Sequence, residues 1–575
     1  MRSVALFLFV VIANAAIAQN ADAIFRAAGS PENPKVPMTW NHYNTHAGIT
    51  DFCKKMAAAY PDLVHLSSMG KSFQGRDMWV LTITDFKKGK PEEKPALYID
   101  GNIHSNEIQG AEFAMYTGWY LVESFSSVDF IRELLAEKTF YIVPTINPDA
   151  RDNFMKEPNS PHSPRSGMIP VDNDRDGLIN EDYMDDLDKD GNITNMIRKS
   201  PKGRYKKNPQ DPRQLVPVKA DEVGEYEILG FEGIDNDGDG KVNEDGTGYY
   251  DPNRDWGWKW QPNYIQNGAY KYPFSLPENR NIRNFVLEHP NIAGAQSFHN
   301  SGGMILRGPG AEEDAATYNA EDSRIYDAIG KKGETLIPGY KYMVVYRDLY
   351  TVWGGELDWF YGGRGVYTFS NELFNSYQYF HKNRDDDDFA SGEAYEFDKD
   401  LLFGDAIVKW KEYDHPQFGK IEIGGPKKNF TRANPGFLLE TDAHRNMAFC
   451  VYHAWSTPKL EISEMSEKSL GGGLTEITVV VANTRMMPTH ASQDLKFKIE
   501  RPDYITISGP KVIAAMTVEN RDLNLTTEQK NNPATIEVDN IPGMSAVTVR
   551  WIVSGSNKYS IKVDSRKGGV VVKQK

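Results

Sequence analysis

His104 and Glu107 stand three residues apart in the segment Lys94 to Glu107, KPALYIDGNIHSNE. An imidazole and a carboxylate offered by one short turn suit a divalent metal. A catalytic zinc takes three such ligands and leaves a fourth position for water. A third ligand candidate, His299, ends the apolar stretch AGAQSF. A second chemistry is written in three loops with aspartates at alternate positions before a glycine. They are Asp172, Asp174 and Asp176 before Gly177; Asp186, Asp188 and Asp190 before Gly191; and Asp235, Asp237 and Asp239 before Gly240. Alternating carboxylates closed by a glycine turn form the oxygen-rich set that Ca²⁺ favours.

These residues need elements to hold them. Ala96 to Ile99, bounded by Pro95 and a polar turn, reads as a buried strand, so His104 and Glu107 fall just past a strand end. Strands are also expected at Leu63–Met69, Asp77–Thr84, Thr139–Val143, Ile292–Phe298, Tyr340–Tyr346 and Val366–Ser370. Helical spacing covers Thr50–Tyr60, Gln109–Phe125, Asn279–Leu287, Ala320–Thr335, Asp405–Tyr413 and Leu438–Ala454. The alternation predicts an α/β fold, a sheet flanked by helices. A polar stretch at 153–250, which carries the aspartate loops, reads as an insertion. Past Thr457-Pro458 the pattern becomes short half-buried strands at Thr475–Val481, Leu495–Ile499, Thr535–Val538, Ala546–Val553 and Tyr559–Val563. This predicts a C-terminal β-sandwich over 458–575.

The chain has 575 residues, enough for roughly two to four domains. Its net charge of −15 argues against nucleic acid, whose phosphates need a basic surface. Arg2, an apolar run from Val4 to Ile12, and Ala16-Ile17-Ala18 have the form of a secretory signal cleaved after Ala18. No later segment is long and apolar enough to span a bilayer, so the mature protein is expected to be exported, secreted or periplasmic. Cys53 and Cys450 sit in helical patterns and admit either a disulfide or two buried thiols.

Taken together, the motifs resemble the zinc carboxypeptidases of the carboxypeptidase A type. The resemblance rests on IHSNE with His104 and Glu107, and on FHN with His299. It also rests on Asn253-Arg254 within DPNRDW, and on the ungapped stretch Tyr350 to Glu372, YTVWGGELDWFYGGRGVYTFSNE. It covers about residues 39–457 and implies a helix-flanked mixed sheet of that type. It implies zinc held by His104, Glu107 and His299, with Glu372 as general base and Arg198 as the oxyanion arginine. It further implies Asn253, Arg254 and Tyr350 on a substrate's terminal carboxylate, and Leu357 as the floor of a pocket for the last side chain.

A leucine floor predicts a preference for apolar or aromatic C-terminal residues of peptides, with Glu356 expected to point away. The histidines lie farther apart than is usual for the family, and Asn106 stands where digestive members carry Arg. The aspartate loops have Tyr183, Ile197 and Gly246 at the twelfth position in place of an EF-hand Glu, and look closer to dockerin or thrombospondin-type loops. Two alternatives stay open: a peptidoglycan stem-peptide amidase on the same scaffold, and an inactive calcium-stiffened binding module.

Overall fold

The computed structural model describes residues 29–575 except 32, 173–175, 180–181, 245, 382–391, 431 and 556–557. The leader, Asp174, Glu181, Asp245 and the acidic run at 384–388 lie outside the described residues. The chain begins with α1 (His46–Ala59), β1 (Val64–Lys71), β2 (Asp77–Ile83), β3 (Ala96–Gly101), α2 (Gln109–Glu123), α3 (Asp129–Glu137), β4 (Thr139–Val143) and α4 (Pro148–Lys156). The insertion supplies β5 (Asn195–Lys199), β6 (Tyr205–Lys207), β7 (Leu215–Pro217) and β8 (Tyr226–Phe231). Then come α5 (Pro277–Glu288), β9 (Ile292–Asn300), β10 (Met304–Arg307), α6 (Ala320–Leu336), β11 (Lys341–Val344), β12 (Tyr367–Leu373) and α7 (Glu393–Leu401). The hairpin β13 (Ile407–His415) and β14 (Gly419–Pro426) precedes the long helix α8 (Gly436–Ser456).

The main sheet is eight-stranded and mixed, in the order β1-β2-β4-β3-β9-β12-β10-β11. Its centre, β4-β3-β9-β12, is parallel. Central parallel strands are covered on both faces and therefore read as continuous apolar runs; every residue of β3 and β9 is buried. Leu97 and Ile99 face a layer of α1, α2 and α8, whereas Ala96 and Tyr98 face Ile282 and Phe285 of α5 on the other side. This is the two-residue alternation of a strand. Cys53 and Cys450 are both buried as free thiols in the first layer.

One close approach positions the chemistry. A Cβ on Gly101 would lie 2.6 Å from the backbone of Gly110, and one on Gly110 would lie 2.9 Å from Phe298 O. Bare glycines let the start of α2 press onto the ends of β3 and β9. The turn that carries His104 and Glu107 is thereby held against the sheet.

The insertion does not fold alone. Its strands join the later hairpin in a six-stranded sheet, β13-β14-β5-β8-β6-β7. The helix expected at Asp405–Tyr413 is thus strand β13. Its partner β14 and its largely exposed lysines at 409 and 411 follow a ladder, not a helical face.

Beyond α8 a five-stranded and a four-stranded sheet enclose one core that includes Val479, Ile505, Val549, Trp551 and Ile561. The strand expected at Leu495–Ile499 is instead the helical turn Ser492–Phe497. Its residues serve the junction with the first domain. Ser492 N donates to Asp322 at 2.9 Å, and Lys567 Nζ reaches Asp494 at 2.9 Å and Gly365 O at 3.0 Å. Among the described residues no helix is long and apolar enough to cross a membrane.

Candidate active site

The site lies at the carboxyl ends of the central parallel strands, where open α/β sheets present their ligand crevice. Asn102, in the left-handed region at φ 63°, follows β3 and donates to the carbonyls of His104, Ser105 and Glu107. That network shapes the turn so that His104 and Glu107 project together. His299 arrives on β9 and completes a buried His–Glu–His group.

The donor atoms converge. His104 Nδ1 is 3.0 Å from Glu107 Oε1, His299 Nδ1 is 3.0 Å from Glu107 Oε2, and the two Nδ1 atoms are 3.3 Å apart. Ligands of a tetrahedral zinc at its usual bond lengths stand about 3.3 Å from one another, so the three residues fit that ion. His104 Nε2 contacts Asp251 Oδ1 at 2.8 Å, the outer carboxylate that orients a metal-binding imidazole. Asp251 sits in the same hexapeptide as Asn253 and Arg254. The general need of a metal-binding histidine for a carboxylate partner was the signal that could have found it.

Around the group stand the other residues that the sequence singled out. Strand β12 runs parallel to β9 with Glu372 paired in register to His299. Burial pushes the Glu372 carboxyl up to about 7, with Glu107 adding to the shift. Asn253 Nδ2 lies 3.5 Å from His299 Nε2, and its Oδ1 accepts from Glu356 N at 2.8 Å. Arg254 is anchored by its Nη1 to Asn253 O at 2.7 Å. Both border a cleft that also touches Tyr350, Leu357 and Glu372. Tyr350 is half exposed there, and Leu357 packs on Leu306, Val345 and Val352 in the cleft wall.

Two expectations need correction. Arg198 is not at the site. It lies on β5 of the insertion sheet, where it pairs with Glu227 at 2.6 Å. The arginine beside the metal group is Arg165, with Nη1 2.8 Å from Asp251 Oδ2 and Nη2 3.0 Å from His104 Nδ1. Nothing in the spacing around SPRSG marks it, because folding of the insertion brings it in. Glu356 does not point away. It is 1% exposed, lines the cleft, and accepts from Ser297 Oγ at 2.9 Å. The expected apolar preference required Glu356 to turn outward, and its position removes that basis.

The aspartate loops close alike. The first carboxylate of each accepts from the glycine N–H: Asp172 from Gly177 at 3.1 Å, Asp186 from Gly191 at 2.9 Å and Asp235 from Gly240 at 3.0 Å. Asp235, Asp237 and Asp239 cluster within 4.8 Å, as do Asp186, Asp188 and Glu232. Asp190 instead accepts from Asn192 N, and Asp176 from Leu178 N. Glu244 follows the third loop, and neither of its carboxylate oxygens has a hydrogen-bond partner; buried Asp182 likewise keeps Oδ2 unpartnered. Its Oδ1 accepts from Asn236 of the third loop. Glu244 directly follows the third loop in the sequence, whereas Glu232 escaped the sequence reading because it lies far from the second loop along the chain.

Comparison with known proteins gives a consistent result. A family model described as zinc carboxypeptidase matches residues 49–214 and 230–385. A model described as a domain of unknown function matches 459–575. Carboxypeptidase M of Mus musculus is 32% identical over 114 residues, 20% of this chain and 26% of that protein. Carboxypeptidase B of Astacus astacus is 35% identical over 114 residues, 20% of this chain and 35% of that protein. The chain thus spans about a third or less of the length of either relative. The crystal structure of thrombin activatable fibrinolysis inhibitor aligns at 15% identity and a TM-score of 0.45, covering 76% of this chain and 82% of that one.

Proposed function

The chain belongs to the zinc carboxypeptidase family, and from that premise we propose that it hydrolyses the last residue from peptide C-termini. The observation that supports this best is one juxtaposition. Glu372 and the Asn253–Arg254 pair line a single cleft, and His299 of the His104–Glu107–His299 group is in register with Glu372 and 3.5 Å from Asn253.

Zinc, when held by His104, Glu107 and His299, supplies Lewis acidity toward the scissile carbonyl and toward water. Glu372 takes the proton from the attacking water and returns it to the departing amine. Arg165 brings positive charge to the carbonyl oxygen as it becomes an oxyanion. Arg254, with Asn253 and Tyr350 beside it, holds the substrate's α-carboxylate by charge-assisted hydrogen bonds. That clamp explains why only a terminal residue is cut. An inactive binding module would not need Glu372 in register with a metal histidine. The signal-like pattern of residues 1–18 supports export.

The test pairs metal analysis with a mass-spectrometric ladder. The expected result is one zinc per chain and stepwise loss of C-terminal residues, blocked when the peptide ends in an amide. Equal cleavage of amidated peptides would refute the carboxylate clamp.

We also propose that the insertion binds calcium, with the third loop as the principal site. Asp235, Asp237 and Asp239 converge there, with Glu244 and the buried Asp182 beside them, although Lys241 already pairs with Asp239 and lies 3.7 Å from Glu244. Burial, together with Asp239, pushes the Glu244 carboxyl up to about 7. A ligand bound only by the folded state stabilises it, by about 2.7 kcal/mol at a hundredfold excess over Kd. A calcium-selective chelator should therefore lower Tm by a few degrees while zinc stays bound. Glu244→Gln should blunt that response, and a melting curve indifferent to calcium would count against the site.

A further inference from the structure

Beneath the cleft lies a cluster of buried acids with too few donors. Glu356 spends Oε2 on Ser297, while Oε1 has no hydrogen-bond partner. Asp100 lies next to it, fully buried and level with Ser297 across the β3–β9 ladder; its oxygens and the Tyr98 hydroxyl also lack partners. Burial pushes both carboxyls up, and Asp100 pushes Glu356 up further. The positive influence on Asp100 comes from His299, and Ser297 donates to Glu356. Asp358 lines the same cleft and accepts from Gly310 N at 3.0 Å.

The walls above these acids are aliphatic: Leu306, Val345, Val352 and Leu357. Aliphatic walls in a cleft that the buried Glu356 carboxyl also lines match one type of side chain, a hydrocarbon stem with a cationic head. Buried acceptors without donors are costly, and so is a buried cation without a counter-charge. Each removes the other's cost. A phenyl ring would fill the cleft but leave Glu356 Oε1 unpaired, and an acidic side chain would meet like charge.

We propose that the cleft selects peptides ending in lysine or arginine, with Glu356 as the specificity-determining residue. The proposal rests on the carboxypeptidase reading above, since it assigns the cleft to the side chain of the residue removed.

The experiment uses the zinc-loaded full chain and peptides that differ only in a final Lys, Arg, Phe or Glu. Lys and Arg endings should exceed Phe in kcat/KM by at least about tenfold, with Glu the poorest. Glu356→Gln should lower kcat/KM for Lys and Arg by about 10²-fold and leave Phe within about threefold, with zinc content unchanged. A wild-type preference for Phe would overturn the proposal, whatever the variant does. So would a Glu356→Gln loss shared equally by all endings, which would mark a structural role. If no peptide is cleaved, the carboxypeptidase reading fails, and calorimetry still decides this proposal: Nα-acetyl-lysine should bind more tightly than Nα-acetyl-phenylalanine, and the reverse order would overturn it.

Discussion

Glu372→Gln should cut kcat by about 10²–10⁴-fold while the protein keeps its fold and its zinc, the usual cost of losing a general base. The amide matches the carboxylate in size and can still hydrogen-bond, so packing at the end of β12 should survive. What disappears is the capacity to take a proton. Glu372 is outside the His–Glu–His group, so metal stoichiometry should not change. KM should move little, because Arg254 and the cleft hold the substrate independently. The measurement is steady-state kinetics with metal analysis and circular dichroism on the same preparation. Retention of more than about a tenth of wild-type kcat would show that another group carries the proton.

Replacing Arg165 and Arg198 in turn should separate two arginines that look equally eligible on paper. Arg165→Ala should lower kcat by about 10²–10³-fold, the loss typical of an oxyanion donor. Its guanidinium lies 3.0 Å from His104 Nδ1 and 3.6 Å from Glu107 Oε1, whereas Arg198 forms a part-exposed pair with Glu227 on the insertion sheet. Arg198→Ala should therefore leave kcat within about twofold, since an exposed ion pair contributes little. Arg165 also braces Asp251 behind His104, so zinc content must be measured alongside. A fall in kcat at full zinc occupancy identifies charge stabilisation; a fall that tracks lost zinc identifies bracing. An Arg198→Ala enzyme as impaired as Arg165→Ala would overturn the assignment.

The amino-acid sequence by itself determined the strands of the main sheet, apart from the short β10, and the residues of the His–Glu–His group. Each was written locally. Fully apolar runs such as ALYI demand a strand covered on both faces, and a polar turn after such a run must emerge at the sheet's end. The spacing of His104 and Glu107 then delivers two ligands from one turn. The unbroken stretch from Tyr350 to Glu372 carried the cleft and the proposed base together, because no insertion separates them.

What only the tertiary structure decided concerns partners from distant segments. Arg165 outranks Arg198 because the insertion folds its start, not its strands, against the metal group. The segment at 407–415 is a strand because β14 and β5 offer it a ladder that no local pattern reveals. Glu356 lies inward because Asn253 Oδ1 accepts from its N–H and Ser297 Oγ donates to its carboxylate, both from elsewhere in the chain. Spacing along one element fixes which way neighbouring side chains point relative to each other. Which of those directions becomes the inside of a cleft is set by register and burial between elements far apart in sequence.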